Sequence, residues 1–327
     1  MADKFNVLAL SGGGYRGLFT AKVLAELEKA TGKRIQEQFD LITGTSIGGI
    51  LALALADGLS PQDVVELFKK FGSDIFPRPK NKAWYKLWST KAFNRSLYDA
   101  EGLKRMLVET FGDRTMKDLS HAHVLIPAAR ASTGKPKLFK TPHDPSFYID
   151  ADIPIVDVAL ATSAAPVYFP MHYVKEEETR YIDGGLVGNA PGLFGYIEAH
   201  KRLGIRHEDI SVLAVGTLSG KPCVSEKTSK RPWLLYWLNP IKPRLLELMF
   251  SIQEHQTHNM LNILLDKNYS IIDTTVSQEA SNDIALDDCS VASQTALISR
   301  AIEETAAFTN TEFFKSFLKG VEDGLPK

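Results

Sequence analysis

Short apolar segments of this chain end in glycine-rich turns, and the turns lead into segments with helical periodicity. Residues 5–10 end in SGGGYRG, and residues 39–42 end in GTSIGG. A short buried strand, a tight turn and then a helix form the repeating unit of a parallel sheet that is covered on both faces. The pattern therefore predicts an α/β fold with a mostly parallel central sheet and helices on both faces.

Further apolar patterns extend this plan along the chain. Residues 17–30 have apolar side chains at helical spacing with Gly32 at the C-cap position, and Ser60-Pro61 is typical of a helix start. Residues 46–56 are apolar on every side, which indicates a buried helix. We also predict strands at residues 124–129, 181–182 and 211–215, and helices at residues 99–111, 155–163, 191–203, 243–266 and 290–319.

No linker, internal repeat or change of composition divides the 327 residues, so we expect a single domain over residues 1–327. The motifs described below fall between about residues 5 and 220. The helical part from about residue 241 to 327 is the natural place for regulation or assembly.

The first glycine-rich turn permits two interpretations. Its GxGxxG pattern, residues 12–17, matches the dinucleotide-binding fingerprint, and Glu37 or Asp40 would be the acid that binds a ribose. This alternative is a nucleotide-dependent oxidoreductase. The second turn argues against it, because residues 44–48 form a G-x-S-x-G nucleophile elbow between a predicted strand and a predicted helix. That pattern favours Ser46 as an exposed nucleophile.

The third turn begins with Asp183 and two glycines. Asp183 is either a turn residue that bonds its own backbone or a carboxylate at the carboxyl edge of the sheet, where α/β proteins place their sites. A serine nucleophile needs a base, and acyl transfer needs donors for an oxyanion. We therefore predict Ser46 as nucleophile and Asp183 as base. The oxyanion hole is predicted at Gly12, Gly13 and Gly14, with the N–H groups of the last two as donors.

Four blocks of the sequence resemble the patatin-like phospholipases, in the order of that family. They are SGGGYRG, GTSIGG, ATSAAPVYFP (residues 161–170) and DGGLVGNAP (residues 183–191), and the resemblance covers about residues 5–220. It implies a three-layer patatin-like fold and hydrolysis of ester-linked fatty acyl chains by a Ser–Asp dyad without histidine. It also implies that Arg16 lies beside the oxyanion loop, where its cation can meet a lipid phosphate.

The positions of the histidines indicate whether Ser46 and Asp183 act as a catalytic dyad or as part of a triad. In α/β-hydrolases the triad histidine follows the acid in the chain. Four histidines do so, His200, His207, His255 and His258. None lies in a recognisable loop at the end of a strand. The pairs at residues 121/123 and 255/258 have spacings that suit a metal, but no carboxylate or cysteine set completes either. We therefore predict a dyad, no metal and no cofactor.

All four tryptophans lie in two short basic segments, at Trp84, Trp88, Trp233 and Trp237. Residues 78–95 carry six basic side chains and no acid, and residues 221–244 carry six against one acid. Aromatic rings and cations together are typical of a segment that contacts a membrane, and the prolines of both segments suit a movable lid. The alternatives are packing in the core and an interface between copies of the chain in a homo-oligomer.

The net charge, the cysteines and the first residues of the chain indicate its class of partner and its compartment. The net charge of −1 argues against a nucleic acid polymer as partner. Cys223 and Cys289 make no disulfide framework, the first residues lack the features of a signal peptide, and no apolar stretch reaches 18 residues. We therefore expect a cytoplasmic protein that acts on membrane phospholipid at the inner face of the membrane, through peripheral contact.

A compact domain of this type is also similar to the cyclic-nucleotide-activated phospholipases of bacterial anti-phage systems. That similarity implies a cyclic dinucleotide as activator, although the sequence shows no recognisable nucleotide pocket. An enzyme able to attack the lipids of its own cell needs restraint, so an activation step is physically reasonable. The alternative function is a non-catalytic lipid-binding or storage protein on the same fold.

Overall fold

The computed structural model describes residues 4–77, 95–218, 244–274 and 284–323, together with Trp237. Within these residues eight strands form one sheet. They are β1 (Phe5–Leu10), β2 (Leu41–Gly44), β3 (His123–Arg130), β4 (Pro136–Lys140), β5 (His172–Val174), β6 (Thr179–Ile182), β7 (Ile210–Val215) and β8 (Tyr269–Ile272).

Eleven helices lie between and after these strands in the described part of the chain. They are α1 (Gly17–Thr31), α2 (Ile35–Gln38), α3 (Ile47–Ala56), α4 (Pro61–Ile75), α5 (Glu101–Phe111), α6 (Ile155–Thr162), α7 (Gly185–Gly188), α8 (Gly192–Ile197), α9 (Arg244–Leu265), α10 (Val291–Phe308) and α11 (Glu312–Asp323). Across the described ranges, none of the helices is both long enough and apolar enough to cross a membrane.

One half of the sheet is parallel and the other half is antiparallel. Strands β3, β2, β1, β7 and β8 lie side by side in that order and run parallel. Strands β4, β6 and β5 extend the sheet with antiparallel pairings. The parallel half places the loops after β1 and β2 at the same edge, because the carboxyl ends of parallel strands meet there.

Strands β2 and β6 approach each other end to end along one edge of β3. Ala129 of β3 pairs with both β4 and β6, so these two strands lie on opposite edges of β3. Leu125 pairs with both β4 and β2, which puts β2 on the edge that β6 occupies. Since β2 is parallel to β3 and β6 is antiparallel to it, the carboxyl ends of β2 and β6 point towards each other.

Helices cover both faces of the sheet. Along β1, Leu8 and Leu10 belong to a core shared with α1, α3, α4 and α10, whereas Val7 and Ala9 belong to a second core shared with α8 and α9. Alternate side chains of a strand point to opposite faces, so this division is that of a three-layer structure. The predicted α/β fold, with a sheet between two helical layers, is confirmed.

Several element boundaries differ from the sequence expectations. The strand predicted at residues 39–42 is found two residues later, at Leu41–Gly44, and α2 ends at Gln38 before it. The helix that begins after Ser60, as predicted, continues to Ile75. Residues 198–202 continue α8 as a π-helical turn. Strands β4, β5 and β8 were not predicted, because they are short and have no clear alternation of apolar residues.

Candidate active site

Ser46 lies in the tight turn between β2 and α3. Its backbone is in the left-handed region, with φ 53° and ψ −123°, which is uncommon for any residue except glycine. The flanking glycines allow the chain to come this close to itself. A Cβ on Gly44 would lie 2.0 Å from the carbonyl oxygen of Gly48, and a Cβ on Gly48 would lie 2.3 Å from that of Leu10. Because backbone atoms fill these spaces, no larger residue fits at either position.

We expect Gly48→Ala to destabilise the fold by about 1–3 kcal/mol or more, since the added methyl group meets backbone that cannot move aside cheaply. Thermal unfolding followed by circular dichroism measures the effect. Gly134→Ala is the matched control, because a Cβ there meets open space and only the left-handed backbone resists it. A Gly48→Ala protein as stable as Gly134→Ala would contradict the close packing described here.

Asp183 follows β6 and comes within hydrogen-bond reach of Ser46. The Ser46 hydroxyl donates to Asp183 Oδ2 at 2.8 Å, and the backbone N–H of Gly185 donates to Oδ1 at 2.6 Å. The carboxyl group is buried, and burial raises the pKa of Asp183 to about 6, against the opposing effect of these two hydrogen bonds. A carboxylate in this state is a stronger base than an exposed aspartate.

Asp183 follows a strand that pairs antiparallel with its neighbours in the sheet. We expected it at the carboxyl edge of a parallel sheet, but β6 runs antiparallel to β3. Asp183 reaches Ser46 because β6 is only four residues long and points at the end of β2 along the same edge of β3.

The glycine loop after β1 lies against Ser46. A Cβ on Gly12 would be 3.3 Å from the Cβ of Ser46. The N–H of Gly12 donates to the backbone oxygen of Asn189 at 3.0 Å, and the oxygen of Gly12 accepts from Thr217 Oγ1 at 3.0 Å. The N–H of Gly12 is thus already engaged, so within the predicted oxyanion hole Gly12 anchors the loop and the predicted donors are its two neighbours.

Gly13 and Gly14 have N–H groups that find no acceptor among the described residues. Gly14 has φ +57°, and its Cα faces the backbone oxygen of Leu286, from which a Cβ would be only 2.3 Å away. That same oxygen accepts the N–H of Tyr15 at 2.7 Å. The loop is thus held from both sides, and the N–H groups of Gly13 and Gly14 are the donors that it leaves available.

Arg16 follows the loop, and its charge acts on Asp273. Its Nε is buried and has no hydrogen-bond partner in the part of the chain that the structure describes. Burial and, to a smaller extent, the Glu254 carboxylate raise the pKa of Asp273 to about 7, against the backbone hydrogen bonds that Asp273 accepts and the charge of Arg16. Asn189 links this region to the loop, because its Nδ2 donates to both Gly12 O and Glu254 Oε1. Glu254 lies on α9, so the C-terminal part of the chain supports the loop.

The dinucleotide-binding interpretation of the first turn needs Glu37 or Asp40 to bind a ribose, but both carboxylates accept backbone N–H groups. Asp40 Oδ2 accepts the backbone N–H of Asn6 at 2.7 Å, and Glu37 caps its own helix by accepting the N–H of Arg34 at 3.2 Å. Both carboxylates thus have local structural roles. Gly12, at the start of the loop, lies against Ser46 and Asn189.

The four histidines after Asp183 have their own partners elsewhere. The Nδ1 atoms of His200 and His255 face the backbone oxygens of Ile205 and Ser251 at 2.9 and 2.7 Å. Those of His207 and His258 face the hydroxyls of Tyr196 and Tyr269. Both oxygens of Asp183 are bonded to other groups, so the described geometry is that of a Ser–Asp pair.

The described residues include no cluster of metal ligands and one of the four tryptophans. In the part of the chain that the structure describes, no three side chains of His, Cys, Asp or Glu come together to hold a metal ion. Trp84, Trp88 and Trp233 lie outside the described residues. Trp237 has a half-buried side chain.

Two of the residues that build the site lie in blocks that the sequence analysis quoted without giving them a role. Asn189 is in DGGLVGNAP, and Thr162 is in ATSAAPVYFP, where its hydroxyl accepts the N–H of Ser46 at 3.0 Å. Their position within these motifs is the sequence signal that could have identified both residues. Thr217, Glu254 and Leu286 had no such signal, because only the folded chain brings them to the loop.

Comparisons with known proteins show the family to which this chain belongs. The family model of the patatin-like phospholipases matches residues 8–192. A cGAMP-activated phospholipase of Pseudomonas aeruginosa is 42% identical over 316 residues, which cover 96% of this chain and 91% of that protein. Proteins of the same name are 37% identical in Escherichia coli, covering 96% of this chain and 92% of that protein, and 35% identical in Vibrio cholerae, covering 98% and 96%. The chain therefore belongs to the patatin-like phospholipase family of hydrolases.

Proposed function

We propose that this chain releases fatty acids from membrane glycerophospholipids, with Ser46 as nucleophile and Asp183 as its base. The observation that carries the proposal is the 2.8 Å hydrogen bond from the Ser46 hydroxyl to a buried carboxylate of raised pKa. A non-catalytic lipid-binding protein would have no need of a nucleophile held at a strained backbone angle.

In the acylation step, Ser46 Oγ attacks the carbonyl carbon of the acyl ester while its proton passes to Asp183 Oδ2. The carbonyl oxygen becomes an oxyanion, and the N–H groups of Gly13 and Gly14 donate to it. One such donor is typically worth about 3 kcal/mol of the barrier. Collapse of the tetrahedral intermediate breaks the ester C–O bond, and Asp183 returns the proton to the leaving alcohol of the lysophospholipid.

Deacylation repeats these roles with water. Asp183 takes a proton from a water molecule that attacks the acyl-Ser46 ester, and it then protonates Ser46 Oγ as the fatty acid leaves. Arg16, beside the loop, would interact with the lipid phosphate through its guanidinium group.

We extend the proposal to activation by cGAMP. Three relatives named cGAMP-activated phospholipases align with 96–98% of this chain. Agreement over that length includes α9 and α10, whose buried side chains belong to the two cores. The single domain expected over residues 1–327 is part of the same proposal. The role in anti-phage defence that the sequence resemblance implies belongs to the same proposal, with peripheral contact at the inner face of the membrane through the tryptophan segments.

The test is release of free fatty acid from vesicles of phosphatidylethanolamine and phosphatidylglycerol, with and without cGAMP. We expect release that rises at least tenfold with cGAMP and not with cyclic di-GMP. Release independent of cGAMP would remove the proposed activator and leave the hydrolase. No release under either condition, with folded protein, would contradict the proposed hydrolysis.

The pH dependence of hydrolysis follows from the state of Asp183. Only the deprotonated carboxylate can accept the Ser46 proton, and burial raises its pKa to about 6. We therefore expect kcat/KM to be level above about pH 7 and to fall about tenfold per pH unit well below pH 6. Circular dichroism at each pH controls for unfolding. A rate that stays level down to pH 5 would show that no base with this pKa is needed.

A further inference from the structure

Thr162, the last residue of α6, lies fully buried behind the catalytic turn. Its Oγ1 accepts the backbone N–H of Ser46 at 3.0 Å and donates its own proton to the backbone oxygen of Pro127 in β3 at 2.7 Å. Because the donated proton is taken by Pro127, the lone pairs of this hydroxyl face Ser46. The hydroxyl therefore connects the Ser46 turn to the middle of the sheet.

The backbone around Thr162 binds the turn that carries Asp183. The carbonyl oxygen of Thr162 accepts the N–H of Gly184 at 2.9 Å, and that of Ala164 accepts the N–H of Asp183 at 3.0 Å. One short segment thus binds the Ser46 turn through a side chain and the Asp183 turn through its backbone. The relative position of the two turns is set by this segment.

The Ser46 turn needs such support because its backbone is strained at φ 53°. A residue keeps this conformation only when its surroundings fix it. The hydroxyl of Thr162 fixes the backbone N–H of Ser46, and the nitrogen of this group is one of the atoms that define φ. The methyl group of Thr162 has a different task. A Cβ on Gly49 would lie 2.9 Å from Cγ2 of Thr162, so the methyl packs against the first turn of α3.

We propose that Thr162 is a positioning residue for hydrolysis, whose hydroxyl holds Ser46 so that Oγ stays within reach of Asp183. This inference rests on the proposed roles of Ser46 and Asp183. The hydroxyl acts through Ser46 and does not touch the substrate. Removing it releases the N–H of Ser46 and allows the turn to relax, so the fraction of molecules with the 2.8 Å hydrogen bond falls.

Two substitutions separate the hydroxyl from the methyl group. Thr162→Val keeps the shape and the methyl contact but has no hydroxyl, whereas Thr162→Ser keeps the hydroxyl and lacks the methyl. We expect Thr162→Val to lower kcat about 10- to 100-fold with KM within twofold, because binding of the lipid is unaffected. We expect Thr162→Ser to stay within about threefold of the wild type. Should Thr162→Val fail to fold, Thr162→Ala compared with Thr162→Ser isolates the hydroxyl.

The assay measures kcat and KM for fatty acid release, and in parallel the rate at which a fluorophosphonate modifies Ser46. Thr141→Val is the matched control, because buried Thr141 also accepts a backbone N–H, that of Val124 at 3.0 Å, away from the site. It should lose stability but keep kcat. Equal kcat in Thr162→Val and wild type, or equal losses in the valine and serine variants, would overturn the inference. A wild type without fatty acid release or adduct would instead overturn the proposed function, and this inference with it.

Discussion

Replacement of Ser46 by alanine is expected to reduce fatty acid release to the uncatalysed background, a loss of about 10⁶-fold in kcat. In the proposed mechanism the hydroxyl oxygen of Ser46 attacks the ester, and the structure places this hydroxyl within hydrogen-bond reach of Asp183 Oδ2. Cavity and strain effects are small, since alanine differs from serine by one oxygen. Release of labelled fatty acid from phospholipid vesicles measures the loss directly.

Ser146→Ala is the matched control for this change, because Ser146 is an exposed loop residue that bonds only to Asp144 among the described residues. It should retain wild-type activity. If Ser46→Ala kept more than about one thousandth of the wild-type rate, well above the expected background, another nucleophile would have to be sought.

Replacement of Asp183 by asparagine is expected to lower kcat by about 10⁴-fold. The amide has nearly the shape of the carboxyl group and can still accept the N–H of Gly185, so the turn is retained. It cannot take the proton of Ser46, so the nucleophile stays in its weak, neutral form. The residual rate should also lose the decline near pH 6 that the wild type shows.

Asp150→Asn makes the same chemical change at another buried carboxyl group. Asp150 accepts from Lys137 at 2.6 Å and from the backbone N–H of Lys140 at 3.0 Å. We expect this variant to lose stability and keep kcat. A similar loss of kcat in both variants would mean that the effect of Asp183→Asn is general destabilisation rather than loss of the base.

The features of this molecule that depend on short-range patterns could be predicted from the sequence. Ser46 was predicted because G-x-S-x-G between a strand and a helix serves a local steric need, and Gly44 and Gly48 meet that need in the fold. Gly32 ends α1 in the left-handed conformation for the same kind of local reason. The two helical layers followed from apolar periodicity.

The parts that sequence reasoning did not reach depend on contacts between distant segments. Asp183 was chosen correctly as a neighbour of Ser46, but for a reason that the antiparallel β6 contradicts. The anchoring role of Gly12 had no sequence signal, because it depends on Asn189, 177 residues away, which engages its peptide group. The support of the loop by Leu286 has no counterpart in any local pattern, because backbone oxygens carry no sequence signal.

The most direct test of the account is the site of covalent modification by a fluorophosphonate, an ester analogue that traps activated serines. Intact mass and peptide mapping of the treated protein should show one adduct, on the peptide that contains Ser46. Formation of the adduct should slow in Asp183→Asn, because the Ser46 hydroxyl is activated by that carboxylate. An adduct on a different residue, or one that forms at the wild-type rate without Asp183, would contradict the Ser46–Asp183 pair as the centre of hydrolysis.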